Sequence, residues 1–227
     1  METATQEGKI IYEPVRIGTW KDEAKFVISG VSYRGQTGLS RLFEQMTPAM
    51  NQDALAELYE TEKQKGNPVP TDMPLIWAIA SRGYDRRNEI GDSEKLRQFL
   101  RTGLRRYPNT LTRAVYASEG NDKIIHNHKT SDEYSIEGQV VGPNGWLSEM
   151  SDKNVLESLL GTNDVTKINE VSQWINGTDS YIWRVNSKPK EKIEKVAGLD
   201  AGGSRLGFDC YRVPQYECPA FRVLKVD

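Results

Sequence analysis

Tyr181-Ile182-Trp183-Arg184-Val185 opens the last segment of the chain, and three further runs follow it: Val196 to Leu199, Leu206 to Cys210 and Phe221 to Val226. Gly, Asp, Ser and Pro separate them, the punctuation of short strands joined by turns. The segment immediately upstream has a different period. Asp152 is placed to cap a helix from Val155 to Leu160, and Asn163 or Asp164 a second one from Val165 to Ile175, stopped by Asn176-Gly177-Thr178. Further back, Thr112 to Val141 returns to period two with turn signals at Gly120-Asn121-Asp122 and Lys129-Thr130-Ser131, which predicts a β meander closed by Gly142-Pro143-Asn144-Gly145.

The first half repeats this block structure. Lys9 to Tyr33 alternates enough, with Gly18 and Gly30 as breaks, to predict two or three strands. Leu39, Leu42, Phe43 and Met46 then recur at helical spacing, and Leu55, Leu58 and Tyr59 repeat it, so two amphipathic helices broken near Pro48 are expected. Gly66 to Pro70 reads as a loop, Thr71 or Asp72 as the N-cap of Leu75 to Arg82, and Asp92-Ser93-Glu94 as the start of a helix ending at Tyr107-Pro108. Strands and helices in separate blocks favour α+β over a doubly wound parallel sheet.

The chain has 227 residues, 37% of them hydrophobic and 27% charged, which fits one folded domain over residues 1–227. Its 30 basic and 32 acidic residues nearly cancel, leaving no whole-chain footprint for nucleic acid or an anionic membrane. Arg82, Arg86, Arg87, Arg101, Arg105 and Arg106 make the middle locally basic, but Asp85, Glu89, Asp92 and Glu94 interleave with them. No apolar run is long enough to span a bilayer, and Met1 to Lys9 has no apolar core of a signal peptide, so a soluble protein without membrane insertion is expected. The compartment is left open.

Two groups have residue types suited to chemistry. His126 and His128 would face the same way on a strand and could share a metal with Asp132 or Glu133, although a complete ligand set is not specified. Cys210 and Cys218 fit a loop disulfide, a two-thiol metal site or two unrelated thiols. Gly202-Gly203 is not followed by the Lys-Ser or Lys-Thr of a phosphate loop. No cofactor is predicted.

The window from Val196 to Pro214 (VAGLDAGGSRLGFDCYRVP) is not written like a core strand. Lys, Glu, Gln, Trp and Met make up about a quarter of the chain, and none occurs in that window. Together with Trp183-Arg184, Leu206-Gly207-Phe208 and Pro219-Ala220-Phe221-Arg222-Val223, it resembles the end of the formylglycine-generating-enzyme type of C-type lectin fold, which closes on a Gly-Phe-Arg strand. More closely, Tyr181 to Val226 resembles the variable region of archaeal diversity-generating-retroelement variable proteins. In that family mutagenic reverse transcription rewrites template adenines, and AAC or AAT codons so rewritten never yield a stop, Lys, Glu, Gln, Trp or Met. Ala220 stands where the family has Gly, and Gln215 and Glu217 are not reachable from those codons.

The resemblance covers about a fifth of the chain. It implies a C-type lectin-like fold with helices flanking small antiparallel sheets, a variable ligand-binding segment over residues 181–227, massive sequence variation, and no catalysis. The partner would be a variable protein or other surface ligand, with its identity set near Gly198 to Tyr216. Tyr211, Tyr216, Phe208, Arg205 and Arg212 are side chains of the kind that dominate interfaces, and Asp200, Ser204 and Asp209 would add polar specificity. Gly198, Gly202 and Val213 complete the predicted surface. Two alternatives stand beside this reading. Alternation of Leu206, Phe208 and Cys210 also fits a buried face, which would put Phe208 or Tyr211 in the core. An enzyme of the same fold would use the cysteines, or the histidines with a metal.

Overall fold

A computed structural model describes residues 10–17, 20–89 and 92–226. Lys9 and Gly18, at the start and first break of the expected N-terminal strands, lie outside them.

The chain opens with an antiparallel pair, β1 (Ile10–Ile17) and β2 (Trp20–Tyr33), and β3 (Gln36–Phe43) returns along β2. The register of β2 with β3 slips between Ile28 and Val31, where Gly30 takes a φ of 71°. A Cβ there would fall 2.5 Å from the Arg82 guanidinium, whose Nε donates to Ser29 O at 2.8 Å, so only glycine fits this bulge. The helix expected from Leu39 to Met46 is instead β3 and the turn after it. Leu42 and Phe43 are buried there by pairing with β2 and the C-terminal strand, so tertiary pairing outweighed the local period.

After β3 come α1 (Gln52–Gln64), the short strand β4 (Val69–Pro70) in the expected loop, α2 (Met73–Asp85) and α3 (Ser93–Leu104). Asp72 is the N-cap of α2, accepting from Leu75 N at 3.0 Å. Asp92 starts α3 without capping it; its carboxylate accepts from Tyr12 N and pairs with Lys95. Met73, Leu75, Ile76, Trp77, Ile79 and Ala80 make α2 apolar nearly all round, as a helix buried at the centre of a protein must be. It packs on β2, on α3 and on the elements that follow.

The expected meander is present as β5 (Asn109–Tyr116), β6 (Asp122–His126) and β7 (Tyr134–Gly138). Then come β8 (Gly145–Trp146), one 3-10 turn, α4 (Asn154–Leu160) and α5 (Val165–Asn176). Asp164 caps α5 by accepting from Lys167 N, and Gly177 ends it at φ 74°. The last segment supplies β9 (Ser180–Trp183), β10 (Ile193–Asp200), β11 (Leu206–Arg212) and β12 (Arg222–Val226).

Among the described residues these strands form two sheets, ordered β1-β2-β3-β12-β4 and β7-β6-β5-β10-β11-β9-β8. The α+β class is as expected. The sheets are larger than expected, and the second is mixed, because β9 and β11 run parallel. One apolar cluster joins both sheets to α2, α3, α4 and α5, from Phe26 and Leu42 through Trp77 and Ile168 to Phe208 and Val223. Trp77 meets the Phe208 ring edge-on at 5.3 Å, and Phe99 meets Phe221 at 5.7 Å.

Candidate functional site

The pairing of β9, β10 and β11 sorts the C-terminal residues onto two faces. Leu199, Phe208 and Ile182 lie side by side across the three strands and are buried, as are Leu206 and Cys210. One residue along, Asp200, Gly207 and Tyr181 form a row on the opposite face, followed by Gly198, Asp209 and Trp183. Trp146 of β8 extends the first of these rows opposite Tyr181.

A depression of about 400 Å³ sits where this outer face meets the turn between α3 and β5. Asp200, Asp209, Tyr211, Arg212, Val213 and Tyr216, all predicted from the sequence, line it together with Tyr107. Tyr107 is 49% exposed, Tyr211 56%, Val213 48% and Tyr216 58%. Among the described residues only Ile136 joins them as an exposed large apolar side chain, so the molecule concentrates that surface at one place.

Arg212 builds the floor. Its Nε donates to Asp209 Oδ2 at 2.9 Å, one terminal nitrogen to Tyr107 O at 2.6 Å and Pro108 O at 3.0 Å, and the other to Leu199 O at 3.2 Å. The side chain is 7% exposed, so the residue predicted as a ligand contact is spent mainly on tying β11 to β10 and to the α3–β5 turn. Gly198 makes room for it. A Cβ there would lie 2.6 Å from the guanidinium carbon and 2.9 Å from Pro108 O, and both neighbouring strands shift register beside it. Gly198 is therefore a buried packing position, not a contact.

Asp209 Oδ1 accepts from Tyr211 N at 2.8 Å, and Asp200 Oδ1 from Gly202 N at 2.9 Å, so each carboxylate is oriented by the backbone two residues further on. Gly202 lies under Tyr107, whose hydroxyl would be 2.9 Å from a Cβ. Lys195 Nζ stands 4.6 Å over the Tyr211 ring. Phe208 must be corrected outright: it is fully buried against Trp77 and takes no part in the surface. Ser204 is exposed in the β10–β11 turn outside the depression. Arg205 lies 4.7 Å over the Tyr181 ring and 4.6 Å over Trp183, in a second aromatic group that Trp146 completes. Sequence reasoning missed Tyr107 because Tyr107-Pro108 reads as a helix stop. Its φ of 53°, unusual for a non-glycine residue, has no local signature.

The groups considered for chemistry lie elsewhere. His126 Nδ1 is 2.9 Å from Thr112 Oγ1 and its Nε2 2.9 Å from Ser158 O, so both ring nitrogens are engaged. Burial holds its pKa below the usual histidine value. Asn127, at φ 49°, turns the chain between the two histidines, which breaks the strand geometry that a shared metal required. His128 is 8% exposed, 3.5 Å from Glu133, and burial lowers it too. Cys210 and Cys218 are unbonded and buried, and burial pushes both thiols up, away from the thiolate. No His, Cys or Ser is among the residues lining the depression; Asp209 accepts from Arg212 Nε and Tyr211 N, and Asp200 from Gly202 N.

Among the described residues no helix is long and apolar enough to cross a membrane. No family model, curated protein or solved structure matches the chain.

Proposed function

We propose that this is a non-catalytic binding protein that displays a diversifiable surface on a C-type lectin-like scaffold, of the diversity-generating-retroelement variable kind. The observation that carries the reading is the convergence of Tyr107, Tyr211, Val213 and Tyr216 on one depression whose supporting strands turn their other face into the core. Exposed tyrosines offer large, rigid contact area at low entropic cost, and oriented carboxylates at their edge add selectivity. The partner is a surface ligand, a protein foremost, because the depression is shallow and aromatic rather than deep and enclosed.

The scaffold reading draws support from the chain's end. Phe221, Arg222 and Val223 enter β12, which pairs with β3 on one side and β4 on the other, so the last strand closes the N-terminal sheet. Arg222 is 1% exposed and its Nε donates to Gln45 O at 2.8 Å. This is the part the terminal Phe-Arg strand plays in the resemblance.

Deep sequencing of the gene across its source population is the test. Substitutions are expected at codons for outward-facing positions between 198 and 216, Asp200, Tyr211, Val213 and Tyr216 above all. A window as constant as the rest of the chain overturns the retroelement reading.

A further inference from the structure

Among the described residues, the buried apolar side chains of α1 belong to a small cluster of their own. Leu55, Ala56 and Tyr59 pack on Leu111 of β5 and on Ala220, with Met50 and Val69 at the edge. An element held by a satellite cluster can open while the main core stays closed. Polar contacts supply the rest of its hold. From the β6–β7 turn, Asp132 pairs with Lys63 at 2.6 Å and accepts from the Tyr59 hydroxyl, Ser131 N donates to Glu60, and Lys129 Nζ reaches Asp53 at 3.1 Å. From β5, Arg113 donates to Gln52 Oε1 at 2.7 Å and pairs with Asp53 at 3.3 Å.

His128 sits inside this clasp. It is 8% exposed, and among the described residues neither ring nitrogen has a hydrogen-bond partner; Glu133 stands 3.5 Å from Nδ1. The charged groups facing it are Lys129 and Glu133 of its own turn, Arg113 of β5, Glu194 of β10 and Asp53 of α1. The two cations oppose a second proton on the ring, and the carboxylates are already engaged. Asp53 is held by Lys129 and Arg113, Glu194 by Arg113 at 2.8 Å and Lys192 at 3.0 Å, and Glu133 accepts from Lys129 N at 2.6 Å. Burial first, and Arg113 next, hold the imidazole below its ordinary 6.5. Burial works to raise the Asp53 and Asp132 carboxyls, but Lys129 and Lys63 outweigh it and bring both below the usual value, so both stay charged where His128 titrates.

The start of α1 also secures a segment of the C-terminal region. Gln52 N donates to Pro214 O at 3.5 Å, and Met50 and Cys218 exchange backbone bonds at 3.0 and 3.1 Å, which leaves Cys218 5% exposed. We propose that these contacts form an acid-operated clasp, in which protonation of His128 releases α1 from β5 and the β6–β7 turn and frees residues 214–218. The closed form holds a neutral imidazole, whereas the open form binds a proton below about pH 6.5, so acid favours opening. From pH 7 to pH 5 the open population rises by about 20-fold. Tyr216 lies on the freed segment, so acid also disperses the aromatic depression; that consequence rests on the proposed binding role, and the opening of α1 does not.

Thiol labelling of the full chain with dithiodipyridine, which reacts in mild acid, tests the clasp. Rates are divided by those of the denatured chain at each pH, and the labelled cysteine is identified by peptide mass. Cys218 should label about 20-fold faster at pH 5 than at pH 7, while Cys210, in the main core, stays protected. His128→Gln should cut that ratio to below about threefold. Lys63→Met, at a half-exposed position, should raise Cys218 labelling at both pH values and keep the ratio. Proton NMR supplies a readout without any variant: of the two imidazoles, His128 should titrate over the pH range in which Cys218 opens, and His126, bonded to Thr112 and Ser158, should not. The proposal is overturned if Cys218 labelling is flat with pH, if Cys210 opens in step with it, if His128→Gln keeps the full ratio, or if the His128 signal is constant while Cys218 opens.

Discussion

Leu206, Phe208 and Cys210 point from β11 into the core, while Gly207, Asp209 and Tyr211 point from the same strand to the outside. The two sets alternate residue by residue and share a backbone, yet their surroundings have nothing in common. The inner set is packed against Trp77 and Ile182 and admits no change of volume without loss. The outer set borders a depression in which Tyr211 and Tyr216 are more than half exposed. A window that a mutagenic process rewrites evenly would therefore meet uneven selection, with Tyr211 the freest position of β11, the even-numbered ones held, and Gly207 and Asp209 restrained by Asp200 and Arg212. Arg212, the next even-numbered position, is held as well: its side chain ties the scaffold although it lines the depression.

The largest effect that sharpens this division is expected inside. Phe208→Ala removes a fully buried ring and should destabilise the protein by about 3 to 5 kcal/mol in urea denaturation. A value near zero would mean that β11 does not present Phe208 to the core, and the two-face description would break. Arg212→Ala should come next, at about 2 to 4 kcal/mol, because it strips bonds from Asp209 and from the carbonyls of Tyr107, Pro108 and Leu199 in a largely buried setting. If Arg212 were a ligand contact, as its residue type suggests, the same variant would melt like the wild type and lose only binding.

Phe208, buried in the core, and Arg212, which lines the depression but spends its donors on the scaffold, show which part of the structure is legible in the chain. Caps and breaks are local, so Asp72, Asp164 and Gly177 announced their helices, and the meander from β5 to β7 followed from its turns. The α+β class followed from the block order. The strand β3 was not legible, because Leu39, Leu42, Phe43 and Met46 satisfy a helical period and only pairing with β2 and β12 decides against it. At the site, composition singled out residues of which several line one depression, and alternation around Leu206, Phe208 and Cys210 already offered the buried reading of Phe208. What composition lacks is direction: whether an arginine reaches outward or back under its own strand depends on Gly198, on a register slip and on carbonyls about a hundred residues away. Tyr107 joins the site by that same long-range contact.

A smaller effect separates the faces by pH. Burial raises the thiols of Cys210 and Cys218 above their ordinary 9.0, and burial likewise raises the Tyr116 hydroxyl, which donates to Cys210 O. Above about pH 9 the unfolded chain releases protons that the folded one retains, so stability is full below that pH and falls as pH rises beyond it. Urea midpoints at successive pH values should show this decline, and Cys210→Ala, after its own cavity loss at neutral pH, should make it shallower. An unchanged slope in that variant would mean that Cys210 is ionisable in the folded protein and that the inner face is open to water.

The smallest effect on stability should carry the largest consequence for function. Tyr211→Ala and Tyr216→Ala remove side chains that are mostly in water, so each should alter the urea midpoint by no more than about 0.5 kcal/mol equivalent. Tyr211 gives up its ring contact with Lys195, an exposed cation–π pair of slight worth. Against any partner recovered for the depression, the same truncations should each weaken binding about 30-fold or more, the signature of an aromatic hot spot. The contrast with Phe208→Ala, measured on one strand with one assay for folding and one for binding, is what assigns the outer face to recognition. If Tyr211→Ala instead destabilised the fold by several kcal/mol while binding survived in the folded fraction, the exposed tyrosines would belong to the scaffold and the depression would lose its claim to be the binding surface.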